Sequence, residues 1–218
     1  MRRIIAAAFL SLDGVMQAPG GPEEDPTGGF AFGGWVFPLG DEVTDAAIGE
    51  TFGRPFDLLL GRKTYDIFAA HWPFIPADDP IAGPFNAVTK YVATHRPDSL
   101  VWENSEWLGP DAIARIAELK QTDGPDLLTQ GSTDLLHQLL AAGLVDELRL
   151  LTFPVLLGRG KRLFDDATAP AALRLTGSKV STTGVVVATY EPAGPVRTGS
   201  SQLPDPSPAH LERRRALR

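Results

Sequence analysis

Residues 4–11, Ile-Ile-Ala-Ala-Ala-Phe-Leu-Ser, are apolar without interruption as far as Ser11. A half-exposed strand would alternate and an amphipathic helix would show a polar face, so a short uniform run predicts a strand covered on both sides. Strands of that kind occupy the middle of mainly parallel sheets sandwiched between helices. The remaining chain must then supply helices for two faces.

It carries the signals for them. Asp41 to Phe52 predicts a helix with Asp41 as N-cap, Arg62 to Phe68 begins another that Pro73 ends, and Pro110 to Gln121 places Ile113, Ile116, Ala117 and Leu119 on one face. Leu135, Leu136, Leu139 and Leu140 form the same kind of stripe after Gly131. Strands are predicted at 57–60, 90–94, 101–102, 126–129 and 147–155, and 173–181 with 184–190 reads as a hairpin turning at Thr182-Thr183-Gly184. Alternating strands and helices that close with an antiparallel pair define an α/β class. Leu12 to Gly40 breaks the pattern: it is rich in glycine and proline, yet Phe30, Phe32, Trp35 and Phe37 give it apolar weight. A long aromatic loop of this type serves as a lid or pocket wall.

With 218 residues, 43% apolar and 22% charged, the chain suffices for one domain and is short for two. That domain is assigned to 1–191, and 192–218, rich in Pro, Ser and Arg, is expected to be a disordered tail. The formal net charge is −7 and the tail is basic, so the body is more acidic still, which argues against a nucleic-acid groove. Without cysteine, disulfides and thiolate chemistry are excluded, and a cytoplasmic protein is expected. The four histidines are scattered, and no metal site is expected. Arg2 and Arg3 before an apolar run imitate an export signal, but Asp13 follows at once and the run reads as a first strand. No stretch approaches the ~20 apolar residues of a membrane helix.

Three strand-to-turn junctions gather anion-binding residue types. Gly61-Arg62-Lys63-Thr64 combines a helix start, two cations and a hydroxyl, which suits a pyrophosphate. Thr94-His95-Arg96 emerges from a strand before Pro97, which suits an isolated phosphate monoester. Gln130-Gly131-Ser132-Thr133 adds a glycine turn, with Ser132 and Thr133 as N-cap hydroxyls for the helix behind them. In an open α/β sheet such ends converge on one crevice. A dinucleotide with a 2′-phosphate needs both kinds of site, so NADPH is the expected cofactor in preference to NADH.

Ser11-Leu12-Asp13-Gly14, Leu60-Gly61-Arg62-Lys63-Thr64-Tyr65, Lys90-Tyr91-Val92-Ala93-Thr94 and the segment from Gly131 to Gly160 stand in the order found in a known family. Over residues 2–191 the chain resembles the reductase domain of the bifunctional riboflavin deaminase-reductase, within the dihydrofolate reductase superfamily, and most of all its small stand-alone members. The resemblance implies a dihydrofolate reductase-like fold with a mainly parallel central sheet, flanking helices and a C-terminal antiparallel hairpin. It also implies NADPH across the strand ends, with 61–64 and 131–133 at the pyrophosphate and 94–96 at the 2′-phosphate. The implied activity is hydride transfer to a flat pyrimidine or pteridine, such as 5-amino-6-(5-phosphoribosylamino)uracil or a dihydrofolate-like compound.

Two departures mark this chain. Gln130 stands where the family commonly has a second glycine, and Val15-Met16-Gln17-Ala18 replaces a basic and a small residue after the first motif. The second change points away from the ribose phosphate intermediate. Reduction of C=N or C=O leaves an atom that needs a proton. Asp13 is the expected donor, with Asp41, Glu42 and Asp45 as further carboxyls, and Trp35, Phe37 and Trp72 as possible walls for the heterocycle. The alternative is a non-catalytic nucleotide or small-ligand binding homodimer that keeps the fold. A homodimer is the expected assembly, and a third reading is a structural homodimer that uses an edge of its sheet as the interface.

Overall fold

The computed structural model describes residues 1–201 and 206–217, so part of the expected tail lies outside the described residues. In chain order the elements are β1 (Ile4–Ser11), α1 (Glu42–Phe52), β2 (Phe56–Gly61), α2 (Arg62–Ala69), α3 (Ala82–Ala87), β3 (Lys90–Ala93), β4 (Ser105–Trp107), α4 (Ala112–Lys120), β5 (Asp126–Thr129), α5 (Thr133–Ala141), β6 (Glu147–Phe153), β7 (Leu173–Val180), β8 (Val186–Pro192) and α6 (Pro208–Ala216).

They build one sheet in the order β4-β3-β2-β5-β1-β6-β8-β7. The first six strands run parallel, and β8 and β7 are antiparallel at the far edge. This is the α/β architecture anticipated from the run at β1, which lies between β5 and β6. Its even residues Ile4, Ala6, Ala8 and Leu10 pack with Ile116 and Leu119 of α4 and Leu136 and Leu139 of α5. Ile5 and Ala7 face the other way, onto Leu58, Leu60, Tyr65 and Phe85. Burial on both faces explains the absence of alternation.

The leader-like arginines belong to the fold. Arg2 is buried, ion-paired with Asp57 and stacked 5.4 Å from the Tyr91 ring centre, while Arg3 meets Glu147 at 3.1 Å and Glu191 at 3.3 Å. Among the described residues, no helix is long and apolar enough to cross a membrane.

One predicted strand is displaced, and two helices form that the sequence reading did not include. The strand predicted at Val101-Trp102 lies instead at Ser105–Trp107. Trp102 is taken into the core: its amide donates to Tyr65 Oη at 2.9 Å, its Nε1 to Asn86 Oδ1 at 2.8 Å, and its ring lies 4.4 Å from the Lys90 ammonium. Helix α3 was not anticipated, since Ala-Gly-Pro-Phe-Asn-Ala shows no periodicity; Asp79 Oδ1 initiates it by accepting the Ile81 and Ala82 amides, each at 2.9 Å. Within the segment expected as a disordered tail, α6 forms behind Ser207, whose hydroxyl accepts the His210 amide at 3.3 Å, and it buries none of its side chains.

Candidate functional site

The C-terminal ends of β2, β3 and β5 open into one cleft of about 1100 Å³, whose floor includes Ala7, Ala8 and Phe9 of β1. All three expected junctions line it: Gly61, Arg62, Lys63 and Thr64; Thr94, His95 and Arg96; and Gln130, Gly131, Ser132 and Thr133. Parallel strands end on the same side of a sheet, so residues far apart in sequence meet there.

Ser132 joins the first junction to the third. Its Oγ accepts the Gly61 amide at 2.9 Å and donates to Thr64 Oγ1 at 2.6 Å. This corrects the expected N-cap role: Ser132 occupies the cap position of α5 at φ +61°, and no side chain caps that helix. The hydroxyl is turned toward β2 instead. Helix α2 starts at Gly61 and is likewise uncapped by a side chain. Two helix starts therefore meet in the cleft with backbone N–H groups that an anion can use. Close approach is built in, because a Cβ on Gly61 would lie 2.6 Å from Ser132 Oγ, and Gly131 sits at φ +92°.

The cations divide their duties. Arg62 braces the turn after β3 through Arg96 O at 3.1 Å and Ser99 Oγ at 2.6 Å, and pairs with Asp66 at 2.7 Å. Lys63 reaches across to the loop after β1, meeting Asp25 at 2.7 Å and Thr27 Oγ1 at 2.8 Å. Among the described residues Arg96, 66% exposed, is held only by a loose 3.4 Å contact to Asp66, so its guanidinium is able to turn to a ligand. His95 is exposed beside it.

The expected proton donor is misplaced. Asp13 does not line the cleft. Its carboxylate accepts from Ser11 Oγ at 2.6 Å, the Leu157 amide at 3.1 Å, the Gly158 amide at 2.8 Å and Arg162 at 3.3 Å, clamping the turn after β6. Burial raises its carboxyl, but the hydrogen bonds from Ser11, Leu157 and Gly158 outweigh it and hold it at about 2, where no proton remains to give at neutral pH. Asp41, Glu42 and Asp45 also lie outside the cleft; Asp41 caps α1 and ties it to Thr182. Of the expected aromatic walls, Phe37 and Trp72 line the cleft, whereas Trp35 is core, with its Nε1 donating to Gln17 O at 2.8 Å.

The loop after β1 supplies groups that sequence patterns did not single out. Asp25 is buried and accepts from both Lys63 and Lys161, each at 2.7 Å. Burial raises its carboxyl, but hydrogen bonds from Lys161, Lys63 and Thr27 prevail and hold it at about 2. Gln17 fixes the same loop, donating to Asp25 O at 2.9 Å and accepting the Lys161 amide at 3.1 Å. Glu24 also lines the cleft, and burial, helped by neighbouring Asp25, raises its carboxyl against the opposing amides of Gly20 and Gly21. These residues sit in a loop without periodicity, and the only signal was the aromatic content that marked it as a lid.

The model of the RibD C-terminal domain family matches residues 2–187. The chain is similar to two proteins of Bacillus subtilis (strain 168): YwjB, 33% identical over 122 residues covering 56% of this chain and 66% of YwjB, and YyaP, 28% identical over 194 residues covering 87% and 94%. Among solved structures it resembles a Shewanella sp. PV-4 protein assigned to riboflavin biosynthesis, with TM-score 0.64, 19% identity and coverage of 88% and 99%. It also resembles the Thermotoga maritima diaminohydroxyphosphoribosylaminopyrimidine deaminase/5-amino-6-(5-phosphoribosylamino)uracil reductase, with TM-score 0.59 and 12% identity, 88% of this chain spanning 57% of that one. Dihydrofolate reductase from Enterococcus faecalis, solved with NADP(H), matches with TM-score 0.53, 15% identity and coverage of 87% and 96%. At these identities the structural matches establish a shared dihydrofolate reductase-like fold.

Proposed function

The chain belongs to the RibD C-terminal domain family, and from that premise we propose that it is an NADPH-dependent reductase of a flat heterocycle of pyrimidine or pteridine type. The observation that carries this reading is the meeting of two side-chain-uncapped helix starts, at Gly61 and Ser132, in a cleft that also holds Arg96. A pyrophosphate fits that arrangement because the first amides of α2 and α5 carry no side-chain cap, while the Gly61 amide itself is held by Ser132 Oγ. Arg96 supplies a separate cation for a 2′-phosphate. NADPH, when bound, supplies a hydride.

The chain's own groups do the rest. Lys63, Asp25 and Lys161 fasten the lid loop over the cleft and limit water. Glu24 is the cleft carboxyl that burial biases toward its protonated form, and it is assigned the proton delivered to the substrate nitrogen or oxygen. A cleft of about 1100 Å³ exceeds the ~300–1,000 Å³ typical of a site for one drug-sized ligand, as a dinucleotide and a second molecule require.

Calorimetric titration with NADPH and NADH tests the reading. Tight NADPH binding with clearly weaker NADH is expected; equal millimolar affinities for the two would remove the cofactor assignment.

A further inference from the structure

The cleft distributes its charge unevenly. Arg62, Lys63 and Asp66 belong to α2, Arg96 to the turn after β3, Asp134 to α5, Lys161 to the turn after β6, and Glu24 and Asp25 to the loop after β1. The compartment bounded by β1, α1, β6 and the segment after α2 is different. Its walls are Phe9, Ile48, Thr51, Phe52, Trp72 and Leu151, and α1 contributes no charged side chain to it.

Packing keeps that compartment apolar. Phe52 and Trp72 both stand edge-on to the buried Phe85, with ring centres 5.1 Å apart in each pair. Thr51 donates its hydroxyl to Ala47 O at 2.9 Å, leaving only acceptor lone pairs. The nearby cations of the lid, Lys63 and Lys161, already share Asp25. A phosphate or carboxylate moved into this space would lose its hydration without gaining a counter-ion. An amidine-like ring edge would find no carboxylate on α1.

Trp72 belongs to that wall, but its Nε1 is buried below the surface, so it offers no hydrogen-bond donor to an anion in the cleft.

We propose that this compartment takes an uncharged, flat imine or carbonyl compound, and that the physiological substrate carries neither a phosphate nor a carboxylate. The proposal rests on the cleft being a reductase site, and it narrows the substrate within that reading. It separates this chain from an enzyme acting on a ribose phosphate.

A matched pair of probes tests it. Quinoxaline and quinoxaline-2-carboxylate differ by a single negative charge, and their binding to the full chain is followed by quenching of tryptophan fluorescence. Quinoxaline is expected to bind at least tenfold tighter. Ile48→Lys introduces a cation from α1, and Phe37→Lys does so from the cleft mouth, where the side chain is 69% exposed and the fold tolerates the change. Either folded variant should narrow the preference by tenfold or more. Equal or tighter binding of the carboxylate, binding of neither probe, or a preference unchanged in both variants would overturn the proposal. Calorimetry with NADPH alone runs in parallel, so protein that binds quinoxaline but no dinucleotide keeps the substrate class and loses the cofactor.

Discussion

The Ser132 hydroxyl accepts the Gly61 amide hydrogen at 2.9 Å, so the start of α5 is fastened to the end of β2 by one side chain. Both helix starts depend on this contact for their spacing. Gly61→Ala would place a Cβ 2.6 Å from both Cβ and Oγ of Ser132 and 3.5 Å from Leu135 Cβ. The expected cost is about 1–3 kcal/mol by overpacking, together with at least tenfold weaker NADPH binding. Ser132→Ala leaves the Gly61 amide unpaired and keeps the left-handed backbone at φ +61°, whereas Ser132→Gly loses the same bond but relieves that backbone. Urea midpoints should therefore rank wild type, then Ser132→Gly, then Ser132→Ala; the reverse order of the two variants would show that the backbone is not strained.

Arg96→Ala should weaken NADPH binding by tenfold or more and leave NADH within about twofold, since each tenfold corresponds to about 1.4 kcal/mol and only the 2′-phosphate is affected. Arg62→Ala should act differently. It removes the brace on Arg96 O and Ser99 and shifts the whole turn, so the affinity for both nucleotides should fall. Paired titrations of the two variants separate a ligand from a support.

How much of this was legible in the sequence follows from what each feature depends on. Gly61, Arg96 and Gly131 could be placed because an apolar run followed by glycine and hydroxyls or cations is local, and parallel topology carries such ends to one side. Ser132 was assigned to the right junction with the wrong partner. Its side chain follows a backbone angle, φ +61°, that residue type does not reveal. Asp13 matched a motif, but a motif carries residue identity and not the donors its carboxylate will meet, which here are amides more than 140 positions away. Asp25 was invisible for the same reason: its two lysines belong to α2 and to the turn after β6.

Asp25 sets an acid limit on stability. Its carboxyl is lowered from 3.8 to about 2, and it is almost fully buried between its two lysines. A depressed folded-state value contributes stability that is complete above the unfolded value and lost as pH falls toward 2, here about 2 kcal/mol. Asp25→Asn should lower stability at pH 6 and flatten its fall between pH 4 and 2. The loop it anchors should also become the first site of proteolysis. Thermal melts across that range, with limited proteolysis at neutral pH, check both outcomes.

Glu24→Gln should leave NADPH affinity within about threefold and reduce turnover by about 10²-fold or more, the usual worth of a positioned acid. The raised carboxyl must be protonated to act, so wild-type turnover should fall as pH rises through its value. The variant should lose that limb of the pH profile. A profile unchanged by the substitution would assign proton delivery to water.

Lys90 makes stability rise in the alkaline range. It is fully buried at the start of β3, at the opposite end of that strand from the cleft, with Nζ donating to Asn86 O at 2.7 Å and Glu103 O at 2.9 Å beneath the Trp102 ring. Burial lowers its ammonium from 10.5 to about 8, with Glu103 opposing. The unfolded chain therefore holds this proton more strongly than the folded one between pH 8 and 10.5, so stability gains with pH across that window and is penalised below it. Lys90→Met removes the titration, and its stability should be flat where wild type rises. It also leaves two carbonyls without their donor, at about 1–3 kcal/mol each if they stay dry, so Lys90→Met should be less stable than wild type at pH 9.5 and closest to it at pH 7. Chemical denaturation at those two pH values distinguishes this from a lysine that stays charged by virtue of its carbonyls and the Trp102 face, for which the gap between variant and wild type would not change with pH.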